Sequence, residues 1–349
     1  MEKANEDRRT FIISRADAIG DVVLTLPVAG VLRALYPHSK IVFLGRSYTR
    51  DLIAACRHID QFLNWDELKT LSKPEAVKIL NATGADTILH ILPNKDIARL
   101  AKQAGIRLRI GTTNRLWHWG TCNRLVRLSR RNSDYHESQL NLKLLRPLGA
   151  KPLYSLEEIE TLYGVEPDAP IPAASKALLD DNRFNLLLHP KSRGHGREWG
   201  LDNFIALVGM LPLDRFNVFV TGTEAERPLL EPLLKAHPSI IDMTGRLSLA
   251  EFIHFIAASD GLLASGTGPL HVAAAVGVHA MGIFPPIRPI HPGRWAPIGK
   301  HAKVFVQQRS CATCKDTKDC QCILNVPPQE VYDYLLTLQK PGRMGDDSK

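Results

Sequence analysis

Along the first half of the chain, short apolar runs alternate with stretches in which apolar positions recur every three to four residues. "FIIS" at 11–14 precedes an amphipathic stretch from Val22 to Leu35, "KIVFLG" at 40–45 precedes one near Ser47 to Cys56, and "DTILHIL" at 86–92 precedes Lys95 to Ala104. A short continuous apolar run is how a strand buried on both faces reads, and the helical period marks the segment that covers it. Strands separated by helices in this rhythm predict βαβ units and a mostly parallel sheet. Pro27 is expected to kink the first helix. "NSDYHESQLNLKLLRPLG" adds a helix with a stripe at Leu140, Leu144 and Leu148, and Gly149 is its stop.

The stretch "YGVEPDAPIPAASKALLDDN" is rich in Pro and Gly and weak in periodicity, so it reads as a linker. The strand–helix alternation then restarts. "NLLLH" leads to a helix from Asp202 to Leu211, "FNVFVTG" to one starting near Glu226, and "GLLAS" to one starting near Pro269. Ser248 before "LAEFIHFIAA", with Glu251 three residues on, makes a capping box. The predicted class is α/β: two Rossmann-like doubly wound domains at 1–165 and 183–328, a linker at 166–182, a final helix at 329–338 and a disordered polar tail at 339–349. Two such domains would face a central cleft. The segment 261–287 carries no Asp, Glu, Lys or Arg and has the length of a membrane span. Its five glycines, two histidines and the turn "SGTGP" predict a buried strand-turn-helix-strand instead.

Composition changes little in this picture, but charge changes more. With 44% hydrophobic and 23% charged residues, the 349-residue chain is an ordinary globular protein. Its charged N-terminus lacks the apolar core of a signal peptide, which predicts a cytoplasmic protein. Residues 1–165 hold 25 Lys+Arg and 17 Asp+Glu, a net of +8, and the remaining 19 and 19 cancel, so the whole excess of +8 lies in the first half. From Ile97 to Ser133 there are nine cations (Arg99, Lys102, Arg107, Arg109, Arg115, Arg124, Arg127, Arg130 and Arg131) and no acid, a field suited to an anion. Cys311, Cys314, Cys320 and Cys322 offer enough ligands for a structural zinc, although the second pair is closer than in a C-x2-C knuckle. Free thiols in a loop are the preferred reading over zinc, and a disulfide is disfavoured in a reducing compartment.

Two turns carry candidate chemistry. "SGTGPLHVAAAVG" is a strand end, a small-residue turn and an Ala-rich helix with Pro269 in its first turn. Gly266 and Gly268 let a ligand approach the backbone, Thr267 adds a hydroxyl, and the helix N-terminus aims N–H groups at a phosphate. "HPKSRGHGREWG" follows another strand and sets Lys191, Ser192, Arg193 and Arg197 among glycines, a clamp for a diphosphate. The turn after the first strand, "DAIGDVV", is the opposite: Asp21 stands where a phosphate would have to sit. Asp21 is either a helix N-cap or a base, and Asp17 competes for the second role.

"DAIGDVVLTLP", "HPKSRGHGREW" and "SGTGPLHVAAAVG", in this order, resemble the bacterial heptosyltransferases of glycosyltransferase family 9 over roughly residues 10–338. The resemblance implies a GT-B fold, with the acceptor bound by the first domain and the nucleotide-sugar by the second. It implies an inverting transfer of heptose from ADP-heptose to a lipopolysaccharide inner-core acceptor, with Asp21 as general base and no required cofactor. It further implies donor contacts from Lys191, Ser192, Arg197, Thr267, Gly268 and Pro269, with Glu226 at the ribose, Leu247 at the adenine and His271 behind the turn. His271, one turn inside a helix, also fits a plain core role. One position departs from the pattern: some members carry an acid where this chain has Gly266.

"NRLWHWGTCNRLVRLSRR" interleaves cations with Trp and Leu. Such a segment suits an anionic glycolipid acceptor, bound by Arg115, Arg124 and Arg127, and a peripheral place at the cytoplasmic face of the inner membrane. Nucleic acid is not expected, since no binding motif accompanies the patch. A non-catalytic glycan- or nucleotide-sugar-binding protein, or a transferase using another nucleotide sugar, is the alternative. An NAD enzyme is disfavoured because neither first βα turn reads G-x-G-x-x-G. No D-x-D metal motif is present.

Overall fold

The computed structural model describes residues 9–130, 133–192, 196–307 and 321–340. It divides into two compact units, Met1–Glu166 and Pro167–Lys349. The first holds six strands: β1 (Thr10–Ser14), β2 (Lys40–Gly45), β3 (Gln61–Asn64), β4 (Thr87–His90), β5 (Leu108–Thr112) and β6 (Arg124–Val126). Every neighbouring pair is parallel, in the order β3-β2-β1-β4-β5-β6. The second unit repeats the arrangement with β7 (Phe184–His189), β8 (Phe216–Val220), β9 (Ile241–Asp242), β10 (Gly261–Ala264), β11 (His279–Ile283) and β12 (Ala302–Phe305), ordered β12-β11-β10-β7-β8-β9. In each sheet the order in which strands are added reverses once, between β1 and β4 and between β7 and β10. In open parallel sheets ligands bind outside the carboxyl ends of the strands at such a reversal.

The apolar runs became strands because both faces are covered. Phe11, Ile12 and Ile13 in β1 and Leu186, Leu187 and Leu188 in β7 have no exposed surface. Trp199 anchors the second core: its ring packs edge-on against Phe204 at 4.9 Å, and its indole N–H donates to the Val326 carbonyl at 2.8 Å. The last helix, Pro328–Thr337, contributes Val331 and Leu335 to the same core. Segment 261–287 contains β10, the helix Gly268–Ala275 and β11, as its turn and glycines predicted.

Differences from the expected elements trace to prolines. The helix expected from Val22 to Leu35 is two helices, Ile19–Val23 and Leu26–Leu35. Pro27 lies in the first turn of the second, where its missing N–H is tolerated; mid-helix it would have left a carbonyl unpaired. Pro147 likewise falls in a 3-10 segment, Lys143–Leu148, which follows a short helix at Glu137–Leu142 and ends at Gly149 with φ 90°. Between the two sheets a short helix forms at Ala173–Lys176, and the carbonyls of Leu178 and Asp180 accept from Asn217 and Asn185, each at 2.8 Å.

Gly30 lies in the middle of the Leu26–Leu35 helix and is buried. A Cβ there would strike the backbone carbonyl of Leu162 and stand 3.0 Å from the Leu162 Cβ. Glycine-to-alanine in a helix ordinarily gains about 1 kcal/mol, but overpacking of about 1–3 kcal/mol reverses the sign here. Gly30→Ala should therefore lower Tm in a thermal melt, whereas Gly120→Ala, which meets nothing within 4 Å, should hold or raise it.

Candidate active site

In the first unit the reversal between β1 and β4 is occupied by a buried arginine. Arg15 follows β1 directly and is 2% exposed. Its Nη2 donates to the Asp21 carboxylate and lies 3.3 Å from Asp17, and its Nη1 donates to Glu137 at 3.1 Å. Glu137, itself 1% exposed, also accepts from Arg130 Nε at 2.9 Å. Arg130 is fixed in turn by the Asn141 side chain at 2.9 Å and the Ile91 carbonyl at 3.0 Å. Burial works against the charge of Arg15, but the surrounding carboxylates outweigh it and raise its pKa above the ordinary value.

Asp21 is not an N-cap. Ala18 occupies that position in the Ile19–Val23 helix, and Asp21 stands in the first turn. Its side chain keeps 20% of its surface exposed. Burial pushes its carboxyl up to about 6; Arg15 opposes this, while Asp17 and Glu137 add to it. Arg15 is shared with Asp17 and Glu137, the latter also held by Arg130, and its pull on Asp21 is outweighed by burial. A carboxylate that titrates near neutrality and faces solvent can accept a proton from a hydroxyl. His90, beside Ser14 in the sheet register, adds no charge, since full burial pushes it down to about 3.

In the second unit the loop after β7 and the turn after β10 are joined. The Trp199 N–H donates to Ser265 Oγ at 3.0 Å. Glu198 organises the loop: it takes Lys191 Nζ at 2.5 Å, the Ser192 N–H at 2.9 Å and Ser192 Oγ at 3.0 Å. Arg197 and Gly196 share a hollow of about 200 Å³ with Ser265, Gly266, Phe284 and Trp295. Thr267 precedes the Gly268–Ala275 helix, with Pro269 in its first turn, and its Oγ1 is buried with no partner among the described residues. A hydroxyl and free N–H groups at a helix N-terminus are suited to a phosphate.

The other predicted residues are distributed as follows. Glu226 is buried and its Oε2 accepts from the Thr223 N–H and hydroxyl, both at 2.8 Å. Leu247 is partly exposed just before the capping box at Ser248, and His271 is 3% exposed inside its helix. Arg115, Arg124 and Arg127 are exposed. Arg193, Cys311, Cys314 and Cys320 lie outside the described residues, so the zinc cluster is represented by Cys322 alone, which is buried. Gly266 has φ 52°, and a Cβ there would stand 3.0 Å from the Phe284 ring, so a side chain at this position is both strained and obstructed. Sequence reasoning missed Arg15, Glu137 and Glu198. Arg15 and Glu137 are 122 residues apart, and only Glu198, one residue after Arg197, was within reach of the motif.

Two linked six-stranded parallel sheets covered by helices, each with one reversal of strand order, give the fold of the GT-B glycosyltransferases. The sequence profile of glycosyltransferase family 9 (heptosyltransferase) matches residues 77–323, and the chain belongs to that family. It is 20% identical over 295 residues to the lipopolysaccharide core heptosyltransferase OpsX of Haemophilus influenzae, covering 81% of each chain. The fold is shared with a family 9 glycosyltransferase from Veillonella parvula, at TM-score 0.75 and 18% identity over 94% of this chain and 96% of that one. It is shared also with the E. coli ADP-heptose LPS heptosyltransferase II, at TM-score 0.71 and 17% identity over 94% and 98%.

The raised pKa has a consequence for stability. The folded state takes up a proton on Asp21 that the unfolded chain releases above about 3.9, so Asp21 costs stability as pH rises from there through about 6. Asp21→Asn has no such titration, so the parent should lose stability relative to that variant as pH rises from about 4 to about 7, on top of a pH-independent cost of weakening the Arg15 cluster. Urea unfolding across this range measures it.

Proposed function

We propose that the protein transfers a heptose from ADP-heptose to a lipopolysaccharide inner-core acceptor, with inversion, at the cytoplasmic face of the inner membrane. The observation that carries this reading is Asp21, a part-exposed carboxylate raised to about 6 and oriented by a buried arginine. The acceptor hydroxyl gives its proton to Asp21 while its oxygen forms the new bond to the anomeric carbon. The bond from that carbon to the diphosphate oxygen breaks on the opposite face, and ADP leaves with the electron pair. One base suffices for such a displacement.

Charge develops on the departing diphosphate, and there Lys191, Ser192, Arg197, Thr267 and the N–H groups at Gly268 stabilise it. Pro269 starts the helix that aims those groups, and His271 supports it from within. Glu226, whose Oε2 accepts from Thr223, would take the ribose hydroxyls, with Leu247 against the adenine. Arg115, Arg124 and Arg127 would receive the anionic acceptor. The described residues include no group of three metal-ligating side chains, and every step above is carried by the chain's own residues.

A second reading, another nucleotide-linked sugar, is favoured by one observation. At Gly266 a side chain would be strained and meets Phe284, so the sugar has no carboxylate at that position. Isothermal calorimetry with ADP, UDP and GDP, followed by transfer assays with the matching sugars, separates the two.

Three outcomes are expected. Asp21→Asn should hold ADP affinity within a few-fold and abolish transfer, and full activity in that variant would remove Asp21 as base. In the parent, kcat/KM should fall below an apparent pKa near 6, because only the deprotonated carboxylate accepts a proton. Arg197→Ala should weaken ADP by about 1.5–3 kcal/mol, the worth of a charge-assisted hydrogen bond; unchanged binding would remove Arg197 from the diphosphate.

A further inference from the structure

The most exposed large apolar side chains among the described residues stand together. Leu116 is 88% and Trp119 64% exposed, and both lie on the Leu116–Thr121 helix, three residues apart and so on one face. The neighbouring side chains turn inward: His118 is buried, its Nδ1 accepting from the Thr112 N–H at 2.9 Å, and Trp117 is half-buried with the Arg115 guanidinium 5.6 Å from its ring. Trp119 is held outward, because its indole N–H donates to the Thr113 carbonyl at 3.2 Å. The helix is braced behind by Lys102, which donates to the Gly120 carbonyl at 2.8 Å, and by Arg109, which donates to the Thr121 carbonyl at 2.7 Å.

Along the chain, the charge flanking this pair has one sign. No acid occurs from Ile97 to Ser133. Arg109 and Arg130 are engaged inside the unit, but Arg107, Arg115, Arg124 and Arg127 are exposed. The apolar pair projects from a short helix whose flanking segments carry these exposed arginines. This combination matches a bilayer surface, where Trp and Leu settle at the headgroup boundary and cations meet lipid phosphates.

We propose that the Leu116–Thr121 corner docks on an anionic membrane surface, with Leu116 and Trp119 inserted and Arg107, Arg115, Arg124 and Arg127 on the phosphates. The proposal deepens the reading of a membrane-bound acceptor by naming the contact residues. It can be tested without donor or acceptor, so failure of the sugar-transfer reading leaves its outcome intact.

The test is co-sedimentation of the full chain with phosphatidylcholine vesicles, with and without phosphatidylglycerol, alongside tryptophan fluorescence. The parent should bind the phosphatidylglycerol vesicles, with a blue-shifted emission, and release from them in high salt; neutral vesicles should leave it in solution. The double variant Leu116→Ser/Trp119→Ser should bind at least about tenfold more weakly, since burial of either side chain is worth roughly that factor. Both side chains are exposed, so the variant should melt with the parent. Trp119→Phe should keep binding within a few-fold and lose the emission shift. Arg124→Gln should weaken binding by about fivefold. No binding to phosphatidylglycerol vesicles, or equal binding by the double variant, would overturn the proposal. Equal binding to neutral vesicles would overturn the role of the arginines.

Discussion

A guanidinium buried at the end of a central strand must be neutralised by the groups that bury it. Arg15 meets this constraint with Asp17, Asp21 and Glu137, which come from its own turn, from the following helix and from a helix after the last strand of the sheet. Breaking a buried ion pair by removing one partner typically costs about 3–5 kcal/mol, so the cluster ties the β1 turn to the far end of the unit. Burial raises the pKa of the Asp21 carboxyl more than Arg15 lowers it, and Asp17 and Glu137 add to the rise. Its carboxyl is thereby held in place by Arg15 and still remains basic. Structure and chemistry pull in opposite directions at this residue, as they often do at active sites.

The second unit solves a different problem with different means. Where the first supplies a carboxylate, it supplies N–H groups, a Thr267 hydroxyl with no partner among the described residues, and a cation, Lys191, ordered by Glu198. Lys191 is already paired at 2.5 Å, so it contributes a positioned dipole as much as a free charge, and Arg197 lies beside the Gly266 turn. Gly266 is required by its own φ and by the Phe284 ring, which limits what this turn can offer a sugar.

Much of this was legible in the sequence where the physics is local. Parallel strands buried on both faces read as unbroken apolar runs, which is why "FIIS", "KIVFLG" and "NLLLH" located β1, β2 and β7. Helix ends were less legible, because Pro27 and Pro147 split their segments rather than bending them. The motif around Asp21 was visible, whereas the burial that makes it basic and the cluster that holds it were not: Glu137 reaches Arg15 across 122 residues. In the basic segment, periodicity could not tell Trp117, which folds back, from Trp119, which does not, nor reveal that Arg109 and Arg130 are engaged inside the unit.

Burial, with Asp17 and Glu137 nearby, holds the Asp21 carboxyl near neutrality against the pull of the Arg15 guanidinium. Carboxyl-carbon NMR of the labelled protein measures this directly, with the Asp21 resonance assigned by its loss in Asp21→Asn. A midpoint at about 6 is the predicted result. A midpoint at the ordinary aspartate value, about 3.9, would contradict the account.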